Sequence, residues 1–149
     1  MKKVSILLHN IRSMHNVGSI FRTADGAGVT KIFLTGYTPC PPRKEIHKTA
    51  LGAEFSVPWA YYPDPIALVE QLKKKGVQMV ALEKNKMSQS IQNFDSKMEV
   101  CMLVGNEIEG VIPELLELSE VVLHLPMRGE KESLNVSVAF GIAIYTLLK

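Results

Sequence analysis

Apolar residues along this chain fall into short unbroken runs, most of them followed by a polar loop and then by an apolar stripe at helical spacing. Val4–Leu8, Lys31–Thr35, Val57–Tyr62, Val77–Leu82, Val100–Val104 and Val121–Leu125 read as strands. They are apolar at nearly every position, as expected of strands covered on both faces in a parallel sheet. Between them, Asn16–Gly28 reads as a helix capped by Asn16, with Ile20, Phe21, Ala24 and Ala27 as its stripe and Gly28 as its stop. Pro65–Lys75 reads as a second helix, capped by Asp64, with Ile66, Leu68, Val69 and Leu72 inward and Gly76 at its end. Pro113–Leu118 is a short third. Tyr37–Trp59 is less regular, a proline-rich loop and then a helical turn or two in IHKTALGAE, and Glu83–Asp95 reads as a polar loop. The alternation predicts one α/β domain over residues 1–149, a parallel sheet flanked by helices.

The final helix has a different pattern. From Leu134 to Leu148 the polar side chains are few and small, Asn135, Ser137 and Thr146, so the segment is expected to be buried on most of its surface. Its polar residues gather in the first turn, where free N–H groups and the helix dipole favour a ligand. The loop before it carries Pro126, Gly129 and the charged residues Arg128, Glu130, Lys131 and Glu132. Taken alone, this stretch reads more readily as an ordinary core helix with a Ser or Asn cap.

Composition narrows the classes. Of 149 residues, 46% are hydrophobic and 21% charged, with a net charge of +2, which is ordinary for a globular domain. That charge is too small to hold nucleic acid by itself, so any such contact must rest on local clusters. The N-terminal apolar run is too short for a signal core or a spanning helix, and the chain reads as cytoplasmic, with no membrane contact. Two cysteines make no disulfide framework. His9, His15, His47 and His124 have no metal-ligand spacing and are expected as loop or surface residues; no metal is expected.

In a parallel α/β sheet, ligands sit beyond the carboxyl ends of the strands, and three segments fall there. Asn16–Asp25 holds Asn16 and, six residues on, Arg22. Leu103–Gly110 follows an apolar strand with Gly105, which would let a ligand approach the backbone, and then Asn106 and Glu107. The third holds Ser133 and Asn135. The chain lacks both GxGxxG and GxxxxGK[ST]. No G-x-S-x-G elbow supports a hydrolase built on Ser133 and His124.

Taken in order, HNVGSIFRTADGAGV (His15–Val29), LVGNEIEGV (Leu103–Val111) and LPMRGEKESLNVSVAFGIAIY (Leu125–Tyr145) resemble the three motifs of the SPOUT superfamily. The likeness is to its SpoU/TrmH-type RNA ribose 2′-O-methyltransferases, and it spans almost the whole chain. It implies a C-terminal deep trefoil knot whose loops bind S-adenosylmethionine, here Leu82–Asn85, Leu103–Glu107 and Leu125–Asn135. Leu82, Gly105, Leu125, Ser133 and Leu134 would hold the cofactor. The resemblance implies a homodimer joined through the last helix, with the catalytic Arg22 lent to the partner's site. Asn16, Glu107, Ser133 and Asn135 would position Arg22 and the ribose, with Glu107 either accepting a proton or orienting the arginine. Arg22 itself is expected to grip a phosphate and lower the hydroxyl's pKa, since a guanidinium is not a practical base. One departure stands out. Where relatives commonly have a glycine after the second-motif glutamate, this chain has Ile108.

The implied substrate is RNA, tRNA first and ribosomal RNA second. It would be held by basic elements at Arg12, Arg43–Lys48, Lys84, Lys86 and Arg128–Lys131, or by a helper protein. A catalytically silent RNA-binding module and a base methyltransferase are the alternatives.

Overall fold

In the computed structural model, which describes residues Met1–Lys149, the apolar runs pair into a single seven-stranded sheet. The strands are β1 (Lys3–His9), β2 (Lys31–Thr35), β3 (Trp59–Tyr62), β4 (Gln78–Leu82), β5 (Gln89–Ser90), β6 (Glu99–Val104) and β7 (Val121–His124). Their order is β3-β2-β1-β6-β4-β7-β5 and every pairing is parallel. The helices are α1 (Met14–Ala27), α2 (Lys44–Ala50), α3 (Pro65–Lys74), α4 (Pro113–Leu118) and α5 (Val136–Leu148). The expected parallel sheet with covered faces is therefore what forms.

Alternation along each strand splits the core in two. Ile6, Leu8, Ile32, Leu34, Met102 and Val104 pack with residues of α1, α2 and α5 on one face. Leu7, Phe33, Met79, Ala81, Cys101 and Leu103 pack with α3 and α4 on the other. The adjacent strands β1 and β6 thus send their following helices to opposite faces, α1 to the first and α4 to the second. A crevice opens at their carboxyl ends, the place where parallel sheets bind ligands.

Several expectations are corrected. Helix α1 begins three residues earlier than a cap at Asn16 would place it, because Ser13 is its cap: Ser13 Oγ accepts the Asn16 N–H at 3.1 Å. Ser and Asn cap about equally well, so the two cannot be ranked by type. Glu83–Asp95 is not only loop. It holds the two-residue β5 and a single 3-10 turn, Ile91–Asn93, whose Ile91 is buried in the first core. Strand β5 exists through its pairing with β7, a contact between segments distant in sequence that no local period announces. Among the histidines, His9 is not a surface residue: it is buried at the end of β1, with Nδ1 2.9 Å from Thr35 Oγ1. Finally, α5 is less buried than its composition suggested. Phe140, Ala143, Ile144 and Leu147 face the core, while Val138, Ile142 and Tyr145 form an exposed stripe.

No helix is long and apolar enough to cross a membrane, and no His/Cys/Asp/Glu cluster could hold a metal ion.

Candidate functional site

The turn after β6 starts the site. Asn106 and Gly110 exchange backbone hydrogen bonds at 3.1 and 2.9 Å, closing a tight loop over Glu107, Ile108 and Glu109. Asn106 Oδ1 accepts the N–H groups of Ile108 and Glu109 at 2.8 and 2.9 Å, an Asx turn that satisfies the loop from within. The left-handed position falls at Gly110, with φ +74°, and not at Ile108. The turn therefore accepts a side chain at 108, and Ile108 stands 80% exposed at the mouth of the cavity described below. Gly105 has a structural reason to be glycine besides the one expected. A Cβ there would collide with the backbone of Gly110, so the turn's own closure also requires glycine at this position.

From this turn the Glu107 carboxylate reaches back to the loop after β1. It accepts the N–H of Arg12 at 2.9 and 3.1 Å, the N–H of Ser13 at 2.9 Å and the side-chain amide of Asn16 at 3.1 Å. Partial burial pushes this carboxyl up. The amide donors of Arg12, Ser13 and Glu107 itself, with the Asn16 side chain, outweigh that and hold it below the usual glutamate range. Asn16 passes the chain on, its Oδ1 accepting from Asn135 Nδ2 at 3.3 Å. Asn135 caps α5, with its Oδ1 accepting from Ser137 N–H at 2.9 Å and Val138 N–H at 3.3 Å. One relay, Asn135 to Asn16 to Glu107, thus ties together three segments far apart in sequence. Its cap and turn bonds leave each amide one orientation.

Beside the relay lies a cavity of about 340 Å³, walled by the ends of β4, β6 and β7 and the start of α5. Leu82, Gly105, Leu125, Ser133 and Leu134, the five residues expected to hold a cofactor, all line it, as does Glu107. Such a volume suits a small organic ligand. Asn16 and Asn135 are joined to this wall through the relay and are not themselves in the lining. Arg22 stands apart. It is exposed on α1, makes no hydrogen bond or ion pair, and does not line the cavity.

The wall also includes residues not named individually for the cofactor: Glu83 and Lys84 of the Leu82–Asn85 loop, His124, and Met127 of the third motif. Glu83 accepts the Val111 N–H at 3.0 Å, bracing the β6 turn from the neighbouring strand end. Its position directly after Leu82 was the available signal. His124 Nδ1 lies 2.9 Å from Ser88 Oγ, which fastens the loop after β4 to the end of β7.

Comparison with known proteins gives a consistent picture. The model of the SpoU rRNA Methylase family matches residues 3–145. The chain is 31% identical over 147 residues to the tRNA (guanosine(18)-2′-O)-methyltransferase of Aquifex aeolicus, covering 97% of this chain and 68% of that one. The crystal structure of the A. aeolicus TrmH/SpoU tRNA modifying enzyme superposes with a TM-score of 0.89 at 30% identity, over 99% of this chain and 75% of that one. The AdoMet-bound rRNA methyltransferase of Sinorhizobium meliloti superposes at 0.90, also with 30% identity, over 97% of this chain and 55% of that one. Several other curated relatives are longer still, and the chain spans 56% to 57% of their length. With the family model matched from β1 into α5 and the sheet shared along its whole width, the chain belongs to the SpoU rRNA Methylase family.

Proposed function

We propose that the chain is an S-adenosylmethionine-dependent RNA methyltransferase acting on a ribose 2′-hydroxyl, with tRNA as first substrate and ribosomal RNA as second, and working in the cytoplasm. The observation that carries this is the Asn135–Asn16–Glu107 relay set against a ligand-sized cavity at the carboxyl ends of β4, β6 and β7. The relatives' names supply the reaction and the substrate class, and the AdoMet-bound one supplies the cofactor.

The cavity fits that cofactor in its chemistry. Leu82, Val104, Leu125 and Leu134 offer apolar walls for a purine, while Ser133, Glu83 and Lys84 offer polar groups for hydroxyls and an amino-acid end. When bound, the cofactor supplies an electrophilic methyl group. The rest falls to the chain's own residues. Glu107 is a poor base: its oxygens are occupied by amide donors and its carboxyl is held low, so it serves to lock the loop after β1 onto β6. The Arg22 guanidinium grips the phosphate beside the target ribose, favouring ionisation of the 2′-hydroxyl. Its exposure outside its own cavity supports a role in the cavity of a second copy. The exposed apolar stripe of Val138, Ile142 and Tyr145 on α5 supports a homodimer joined there. A deep trefoil knot goes with this reading. The sheet order, in which β6 follows β4 in the chain yet separates it from β1, is compatible with it.

Calorimetry with S-adenosylmethionine, followed by nucleoside mass spectrometry of bulk RNA from cells lacking the gene, tests the proposal. Binding and the loss of one 2′-O-methylated nucleoside are expected; a purified protein that does not bind the cofactor ends the enzyme reading. Arg22→Ala should lower turnover by at least about a hundredfold, the scale of one lost electrostatic contact in a transition state, with cofactor affinity retained. Sedimentation showing a monomer at micromolar concentration would remove the shared site.

A further inference from the structure

Tyr37 belongs to none of the motifs, yet it is held with unusual completeness. Its N–H donates to Asn10 Oδ1 at 3.0 Å, and Asn106 Nδ2 donates to its hydroxyl at 2.9 Å. The same Asn106 Nδ2 also donates to the Asn10 carbonyl at 2.8 Å. Gly36, with φ +63°, packs so tightly that a Cβ would strike Asn10 Oδ1, and its carbonyl accepts the Tyr61 hydroxyl at 2.8 Å. The outcome inverts the usual arrangement of a surface tyrosine, which buries its ring and keeps its hydroxyl in water. Here the hydroxyl is tied to a buried asparagine while the residue remains 58% exposed.

Its position gives this a use. Asn106 lines the cavity, and the next residue, Glu107, carries the relay. Residues 11 and 38 are joined by the Ile11 N–H donating to Thr38 Oγ1 at 3.1 Å, so the loop bearing Arg12 is fastened to the turn bearing Tyr37. Arg12 is exposed and its guanidinium forms no ion pair, while its backbone N–H holds Glu107. A fixed aromatic surface and a free cation therefore flank the end of the sheet where a target ribose must enter. Single-stranded RNA is recognised by such a pair, base on ring and phosphate on cation.

We propose that Tyr37 and Arg12 form a nucleotide subsite for single-stranded RNA, in which a base adjoining the methylated nucleotide stacks on the Tyr37 ring and its phosphate meets Arg12. This rests on the RNA 2′-O-methyltransferase reading above.

The test measures methyl transfer to bulk RNA from cells lacking the gene, with labelled S-adenosylmethionine, for the full chain and its variants; calorimetry follows cofactor affinity. Tyr37→Ala should raise the KM for RNA about tenfold, the loss of one stacked base, while cofactor affinity stays within about twofold. Tyr37→Phe and Tyr37→Trp keep the ring and should stay within about threefold of the parent. Arg12→Gln should weaken RNA binding and reduce its salt dependence by roughly one phosphate contact. Ultraviolet cross-linking should give an RNA adduct on the peptide containing Tyr37. If Tyr37→Phe is damaged as badly as Tyr37→Ala, the bond to Asn106 is what matters and the stacking role is wrong. An undamaged Tyr37→Ala, or adducts found only elsewhere, overturns it too. Failure of the parent protein to methylate any RNA would sink the broader reading instead, so the two failures are told apart.

Discussion

Glu107 and Glu54 are both carboxylates drawn from solvent and loaded with donors, yet they organise very different amounts of structure. Glu54 is 6% exposed, accepts the Gly52 N–H at 2.9 Å and lies 2.7 Å from His47 Nδ1. All its partners lie within seven residues, and what it secures is the turn between α2 and the 3-10 segment Ala53–Phe55. Glu107 takes its donors from 91 to 95 residues away and joins the loops beyond two adjacent strands. In both, burial pushes the carboxyl up and the donors outweigh it, so both sit below the usual range. The same local chemistry makes a turn in one place and a site in the other. The difference lies in what the donors are attached to.

Breaking each carboxylate should separate the two roles. Glu107→Ala should show the larger effect: turnover down by about a hundredfold, because an ångström-scale shift of the loop after β1 misplaces Asn16 and its neighbours. Stability should also fall by about 2 kcal/mol from the lost charge-assisted bonds. Steady-state rates and a thermal melt measure both, and near-parent turnover would show that the relay does not position the chemistry. Glu54→Ala should cost about 1–2 kcal/mol by the same melt and leave turnover within about twofold. A large loss of activity there would erase the distinction.

The smallest effect is in the pH dependence of stability. A carboxyl whose folded pKa is lowered contributes stability that is complete above its unfolded value, near 4.5, and is lost as pH falls through the folded value. Glu54→Gln and Glu107→Gln should therefore flatten the acid limb below about pH 4.5 and leave neutral pH slopes alone. His9 acts in a separate window. Burial pushes its pKa down, against a smaller upward pull from Glu114, so it resists protonation while the unfolded chain does not. Its contribution is complete above 6.5 and declines as pH falls below that, so His9→Gln should reduce the slope just under 6.5. Denaturant melts across pH read all three variants, and a carboxylate variant that alters the limb above pH 6 would contradict the assignment.

How much of this was legible beforehand depends on the range of the interaction. Asp64, Pro65 and the helix they start were readable, because a cap and its amides are neighbours: Asp64 Oδ1 accepts from Ile66 and Ala67 N–H at 3.0 and 3.3 Å. The choice of Ser13 over Asn16 was not, since Asn16 is drawn away by a glutamate in the other half of the chain. Gly105 could be marked as special from the sequence, but its second reason could not be read there, because the group it must avoid, Gly110, is met only once the turn has closed. Tyr37 carried no signal, as it and its partners Asn10 and Asn106 are placed by three separate strand ends.

By itself, then, the order of residues determined six of the seven strands, the longer helices, the parallel sheet and the three segments that would meet at one end of it. Apolar runs, caps and breakers act over a few residues and can be read a few residues at a time. Tertiary structure decided how those segments are joined. It clamped Glu107 with donors from the loop after β1, left Arg22 outside the cavity of its own chain, and turned one face of the apolar last helix to the surface. Those outcomes depend on which donors and which surfaces arrive from a hundred residues away, and that is settled only when the sheet brings the strand ends together.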